Sequence, residues 1–370
     1  MTAGISKNRK VKRVSAGQAV FCTMSVIALA LTFKYSQSAI AAVSHGLELC
    51  VKTVIPSLFP FMVLSEIFVS SGAAGIVAKL IGKPFEYCFG ISRNGASALV
   101  LGALCGFPIG TKCALSQRER GEINDRELLH LLCFCNGPSS AFLISAVGIS
   151  LFGSKAFGIA LYVAELLSAV VIGIIFRFVL KNETPEPSVQ DTPEEPKKPG
   201  CTRTVVNAVR DSAEGMLYVC AFVVFFAVIT GILEIYAEKF GISGTMKALS
   251  VGFFEMTGGV FAASELKRGA AYICTAFIVG WSGLSVHFQF ISLCGNRRIK
   301  YGIYFCAKFL RGLLDAFFII IISSAFGGSF AADPVGVQSF LPSAVIHPTN
   351  VISFFTFLCG IISIPLSRKR

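Results

Sequence analysis

The 370-residue chain is 54% hydrophobic and only 15% charged, with a mean hydropathy of +0.71. Soluble domains carry about 25% charged residues, so a water-soluble globule is excluded. The net charge of +12 does not indicate nucleic acid: much of it lies in Lys7, Arg9, Lys10, Lys12 and Arg13 at one end and Arg368, Lys369 and Arg370 at the other. Such clusters hold the ends of a membrane protein on the cytoplasmic side, and no basic face interleaved with aromatics occurs elsewhere.

A spanning helix needs about 20 mostly apolar residues. In chain order such segments run about 17–34, 54–71, 95–115, 128–152, 154–180, 216–236, 269–290, 302–328 and 350–366. The first follows a basic start and reads as an uncleaved helix rather than a signal peptide. Residues 36–52 are apolar but carry His45, Glu48 and Lys52, and charge counting favours two crossings over 36–71. Residues 241–266, with Gly252, Gly258 and Gly259 and the acids Glu255 and Glu265, read as a re-entrant hairpin, and 73–92 as its counterpart. Residues 181–203, rich in proline and acid, cannot pack a core and read as a disordered tether.

The fold class expected is all-α: a polytopic helical membrane protein with two internal repeats, discontinuous helices and re-entrant hairpins. Its parts are N-terminal membrane segments (1–53), a first repeat with a connecting helix (54–180), the tether (181–203), a second repeat (204–328), and a loop with a last helix (329–370). The repeat rests on two spans that open with Gly95 and Gly269 and meet Gly106 and Gly280 eleven residues later. The charge-based topology makes the repeats parallel; a re-entrant 128–152 makes them inverted.

Backbone polar groups in lipid must be satisfied internally, so a helix break there lines a cavity or is buried in protein. Three breaks stand out. The first is Gly106-Phe107-Pro108-Ile109-Gly110-Thr111-Lys112, where proline stops the helix and a restart offers amides to an anion; a kink with Lys112 snorkelling is the plainer reading. The second is Asn136-Gly137-Pro138-Ser139-Ser140, an amide and two hydroxyls that suit a polar substrate or tie helices together. The third runs from Gly280 to Gln289 and holds Trp281, Ser282, Ser285 and His287; it is read as the repeat-mate of the first. Trp281 also suits an interfacial anchor and His287 a core histidine.

Intramembrane acids are functional suspects. Arg311 and Asp315 are spaced to pair along one helix face. Glu66 and Glu165 have no local partner and are candidates for ion or proton coupling. No nucleotide-binding, zinc-protease or nucleophile-elbow motif occurs, so the reading is no enzyme, no cofactor and no metal. The partners expected are a small-molecule anion and the lipid bilayer, with no nucleic acid; oligomeric partners are not specified.

Gly102 through Lys112, Gly121-Glu122-Ile123, Leu132 through Asn136, Ala146-Val147-Gly148 and Phe152-Gly153 together resemble the YlbJ-type sporulation integral membrane proteins, which contain a nucleoside recognition, or Gate, domain. Those proteins typically read Asn-x-Ser-Gly-Pro where this chain has Asn136-Gly137-Pro138-Ser139-Ser140. The resemblance implies a fold distantly like concentrative nucleoside transporters. It also implies a place in the mother-cell-derived outer forespore membrane, and passage of dipicolinic acid. Alternatives are a nucleoside or other small-metabolite transporter, and a non-transporting scaffold of a sporulation complex.

Overall fold

The computed structural model describes residues 16–181, 201–325 and Phe330. The basic ends, most of the tether and the span at 350–366 lie outside the described residues. Among the described residues there are helices and no strand, and four helical segments are long and apolar enough to cross a membrane. The expectation of an all-α, polytopic membrane protein is borne out.

Helix α1 (Ala16–Lys34) has Phe21, Met24 and Phe33 exposed, as an all-apolar helix in lipid has. α2 (Ser36–Leu49) runs through a π-helical turn, Cys50–Val54, directly into α3 (Ile55–Ser70). This path lies antiparallel along the 39-residue α9 (Cys201–Lys239): Gly231 approaches Ala42, Gly46 approaches Ala227, and Gly215 approaches Met62. One continuous traverse beside one partner helix replaces the two crossings expected for 36–71. The start of α9 also takes residues 201–203 out of the tether. α4 (Ala73–Phe89) is a single helix between Gly72 and Gly90, both with positive φ, so 73–92 is not a hairpin.

The remaining elements repeat one order: hairpin, interrupted helix, long helix. α5 (Gly95–Cys105) and α6 (Ile109–Glu119) fold back on each other. A helix of 11 residues is about 16 Å long, half the bilayer core, so each arm reaches mid-depth and returns. The seam is Gly102 against Gly110; a methyl on either would strike the other's Cα and the Cys135 carbonyl. α7 (Asp125–Phe134) is separated by residues 135–141 from the π-helical segment Phe142–Leu151, and α8 (Lys155–Val179) follows.

In the second half α10 (Thr245–Phe254) and α11 (Met256–Ser264) fold back along Gly252 and Gly259. α12 (Arg268–Trp281), an interruption at Ser282, and α13 (Gly283–Cys294) precede α14 (Tyr301–Ala325). The hairpin expected at 241–266 is present. Gly106 is therefore a hairpin tip, whereas Gly280 lies in an interrupted helix; the equivalent of the first break is Glu255, and the second and third breaks correspond. α7 with its π-helical continuation, α8 and α9 lie between the two hairpins, and α8 and α9 are long and apolar enough to cross a membrane. One crossing by each of the three is the odd count that an inverted arrangement of the halves needs.

Outside the bilayer, Arg118 and Asp125 join α6 to α7 by hydrogen bonds of 2.5 and 2.9 Å. The Arg118 hydrogen bonds, and then its charge, hold the Asp125 carboxyl below the usual carboxylate range. Its contribution is present above the ordinary aspartate value of about 3.9 and is lost as pH falls through the lowered one. Asp125→Asn should flatten the acid limb of the stability profile, and an unchanged limb would contradict this. Gly259→Ala, which drives a methyl into Gly252, should cost about 1–3 kcal/mol in detergent unfolding. Gly269→Ala, with open space around it, should change stability by less than about 1 kcal/mol. Equal effects would contradict the seam.

Candidate functional site

Each hairpin tip docks on the interrupted helix of its own half. Gly106 lies against the Pro138–Ser139 backbone, and Phe107 N–H donates to the Gly137 carbonyl at 2.7 Å. Gly283 lies against the Glu255–Met256 backbone. The second tip neutralises its own helix end, because the Glu255 carboxylate accepts from the Thr257 and Gly258 amides at 2.9 and 2.5 Å. The Asn136 side chain accepts from the Thr111 hydroxyl and donates to the Leu132 carbonyl at 3.0 Å. Ser140 Oγ donates to the Leu104 carbonyl at 3.1 Å.

The carbonyls freed where α7 stops are taken up by buried cations of α14. Lys308 Nζ donates to the Asn136 carbonyl at 2.7 Å and Arg311 Nη1 to the Phe134 carbonyl at 3.0 Å. Both side chains are almost wholly buried. Arg311 Nη2 also lies 2.9 Å from Glu165 Oε1 on α8. Arg311 thus turns across to α8 instead of pairing along its own helix with Asp315, and Glu165 does have a partner. Glu165 and Arg311 are each the eleventh residue of a 25-residue helix. They occupy the same position in the last long helix of each half. Sequence reasoning missed Lys308, although Lys308, Arg311 and Asp315 are spaced by three and four on one helix face.

Between the tips lies a cavity of about 60 Å³. Phe107, Ser139, Glu255, Thr257, Ser282, Ser285 and Gln289 give it its character, with walls from α3 and α9. Ser282 has φ of 73°, a left-handed conformation that costs a non-glycine residue energy. Ser285 Oγ is buried without a hydrogen-bond partner. At about 10–15 Å³ per water-sized sphere, the space holds on the order of five waters.

Of the residues singled out from sequence, Phe107, Ser139, Ser282 and Ser285 line this cavity. Gly106, Pro108, Gly110, Thr111, Asn136 and Ser140 build the hairpin and break behind it. Trp281 stacks on Phe253 at 5.4 Å and donates to its carbonyl at 3.0 Å. His287 is buried, with Nδ1 3.2 Å from the Tyr304 hydroxyl. Lys112 lies away from the cavity beside Gly215 and is, with Asp211, a charged neighbour of the half-buried Glu66. Thr257 carried no sequence signal; Gln289 closed the third break, and Glu255 was visible as an acid in an apolar hairpin.

Breaking the buried pair should show its structural weight. Glu165→Leu and Arg311→Leu should each cost about 3–5 kcal/mol in detergent unfolding, because each strands a buried charge. The double substitution should cost less than their sum, and additive losses would contradict direct pairing.

Comparison with known proteins places similarity over much of the chain. A family model described as nucleoside recognition, Gate, matches residues 51–155, which span α3, the first hairpin and the first interrupted helix. The chain is 26% identical over 334 residues to the sporulation integral membrane protein YlbJ of Bacillus subtilis (strain 168), covering 82% of this chain and 80% of that protein. No solved structure matches. Residues 51–155 are therefore similar to the nucleoside recognition Gate family, and the chain resembles a sporulation integral membrane protein along most of its length.

Proposed function

We propose that the chain is a membrane transporter, not an enzyme, that carries a small anionic solute during sporulation, with dipicolinic acid as its cargo. The observation that carries this reading is the convergence of two hairpin tips on one small, largely apolar cavity that also presents Ser139, Glu255, Thr257, Ser285 and Gln289. Such interfaces between inverted repeats near the midplane are where secondary transporters bind cargo. Phe107 offers a ring for the cargo's face, and Ser139 and Ser285 offer hydroxyl protons, while the Ser282 hydroxyl donates to the Val279 carbonyl at 3.1 Å. Room for an aromatic dicarboxylate requires the hairpins to part, as alternating access demands. Lys112, beside Glu66 and Asp211, acts on a path toward the cavity rather than at it, and Glu66 and Glu165 remain the acids proposed for coupling. The location proposed is the outer forespore membrane, with both termini cytoplasmic.

One observation favours a second reading. Glu255 lines the cavity and, among the described residues, no cation does, which suits an uncharged, hydroxyl-rich solute such as a nucleoside. Uptake of labelled dipicolinate and uridine into proteoliposomes separates the two. The first reading predicts dipicolinate uptake above empty vesicles, reduced roughly tenfold by Ser285→Val, the loss of one or two hydrogen bonds of about 1 kcal/mol each. Uridine uptake without dipicolinate uptake establishes the second. Uptake of neither removes transport and favours the scaffold.

A further inference from the structure

A second, larger chamber lies on the opposite side of the Gly137–Pro138 wall from the central cavity. It measures about 260 Å³ and shares only those two residues with the first. Phe85 and Phe89 of α4, Phe134 of α7 and Tyr162 of α8 bound it. The first three rings form a run, with centroids 5.6 Å apart between Phe85 and Phe89 and 5.2 Å between Phe89 and Phe134. Val170 lines it and is 43% exposed on α8, so the mouth faces lipid rather than the central cavity. Glu165 and Arg311 stand at its inner end, 2% and 3% exposed.

That end is polar and incompletely satisfied. Arg311 spends Nη1 and Nη2 on Phe134 and Glu165, but its Nε–H has no acceptor. A buried donor left unpaired costs about 1–3 kcal/mol, which a ligand acceptor can recover. The walls are apolar and aromatic, and rings favour offset or edge contacts with other rings. A dry cavity of about 150 Å³ binds benzene; 260 Å³ leaves room for a ring with a small polar substituent. An acyl chain, the common apolar occupant at a lipid-facing mouth, supplies no acceptor to Arg311.

We propose that this lateral chamber is a binding site for a small aromatic molecule that partitions into the bilayer and presents a hydrogen-bond acceptor to Arg311. Its occupant braces the Gly137–Pro138 wall from behind the transport cavity. The site is independent of which solute the central cavity carries.

Benzamide is the probe and toluene, lacking the polar head, its control. Binding to the full chain purified in detergent is measured by ligand-observed magnetic resonance. Ala169→Phe on α8 and Leu99→Trp on α5 fill the chamber from two different walls; each is used after its melting curve is matched to the parent chain. Saturable benzamide binding, at least tenfold weaker in either matched variant and at least tenfold weaker for toluene, is the expected result. Absence of saturable binding overturns the proposal, as does binding untouched by a matched variant, toluene binding as tight as benzamide, or a co-purified acyl chain that keeps benzamide out.

Discussion

Two 25-residue helices, α8 and α14, meet through Glu165 and Arg311, and the rest of the membrane domain is organised around that meeting. A helix that stops in hydrocarbon leaves carbonyls that water cannot reach. Here the cations that answer them come from the other half of the chain: Lys308 and Arg311 reach across to Asn136 and Phe134. The break in one half therefore exists because the other half is docked on it. Two cations and the two acids Glu165 and Asp315 share the buried cluster, so its formal charge balances while its shape fixes how the halves meet.

Glycine does complementary work at the hairpins. Lipid gives helices no hydrophobic reason to associate, so close backbone approach must supply the attraction. Gly102 with Gly110 and Gly252 with Gly259 provide that approach in the two halves. The tips then sit against the interrupted helices by backbone contact, with few side chains to entangle them. Rigid hairpins on a charged pivot are suited to move as units, which is what opening a cavity of this size requires.

Much of this was legible in the sequence, for identifiable reasons. Proline and glycine within apolar runs marked all three interruptions, because in lipid such residues are tolerated only where something compensates. What failed was the geometry at each mark. Gly106 to Pro108 reads equally as a kink or a reversal, and the choice is made by a glycine seam whose two halves lie eight positions apart. Sequence alone therefore places a hairpin at 73–92, aligns the repeat on Gly106 and Gly280, and leaves parallel and inverted halves both open. Arg311 was paired with Asp315 because local spacing is visible and a partner on α8 is not. The polar lining contributed by Thr257 and Gln289 depends on the same long-range docking.

Transport, on this account, is the alternate exposure of one cavity by two inverted hairpins. Thr257 sits at the second tip and lines that cavity. In a background without reactive cysteines, Thr257→Cys can be probed with an impermeant maleimide from each face of a sealed vesicle. The account predicts labelling from both faces, slowed on both when cargo is present. Labelling from one face alone, at a rate indifferent to dipicolinate and to uridine, would contradict it.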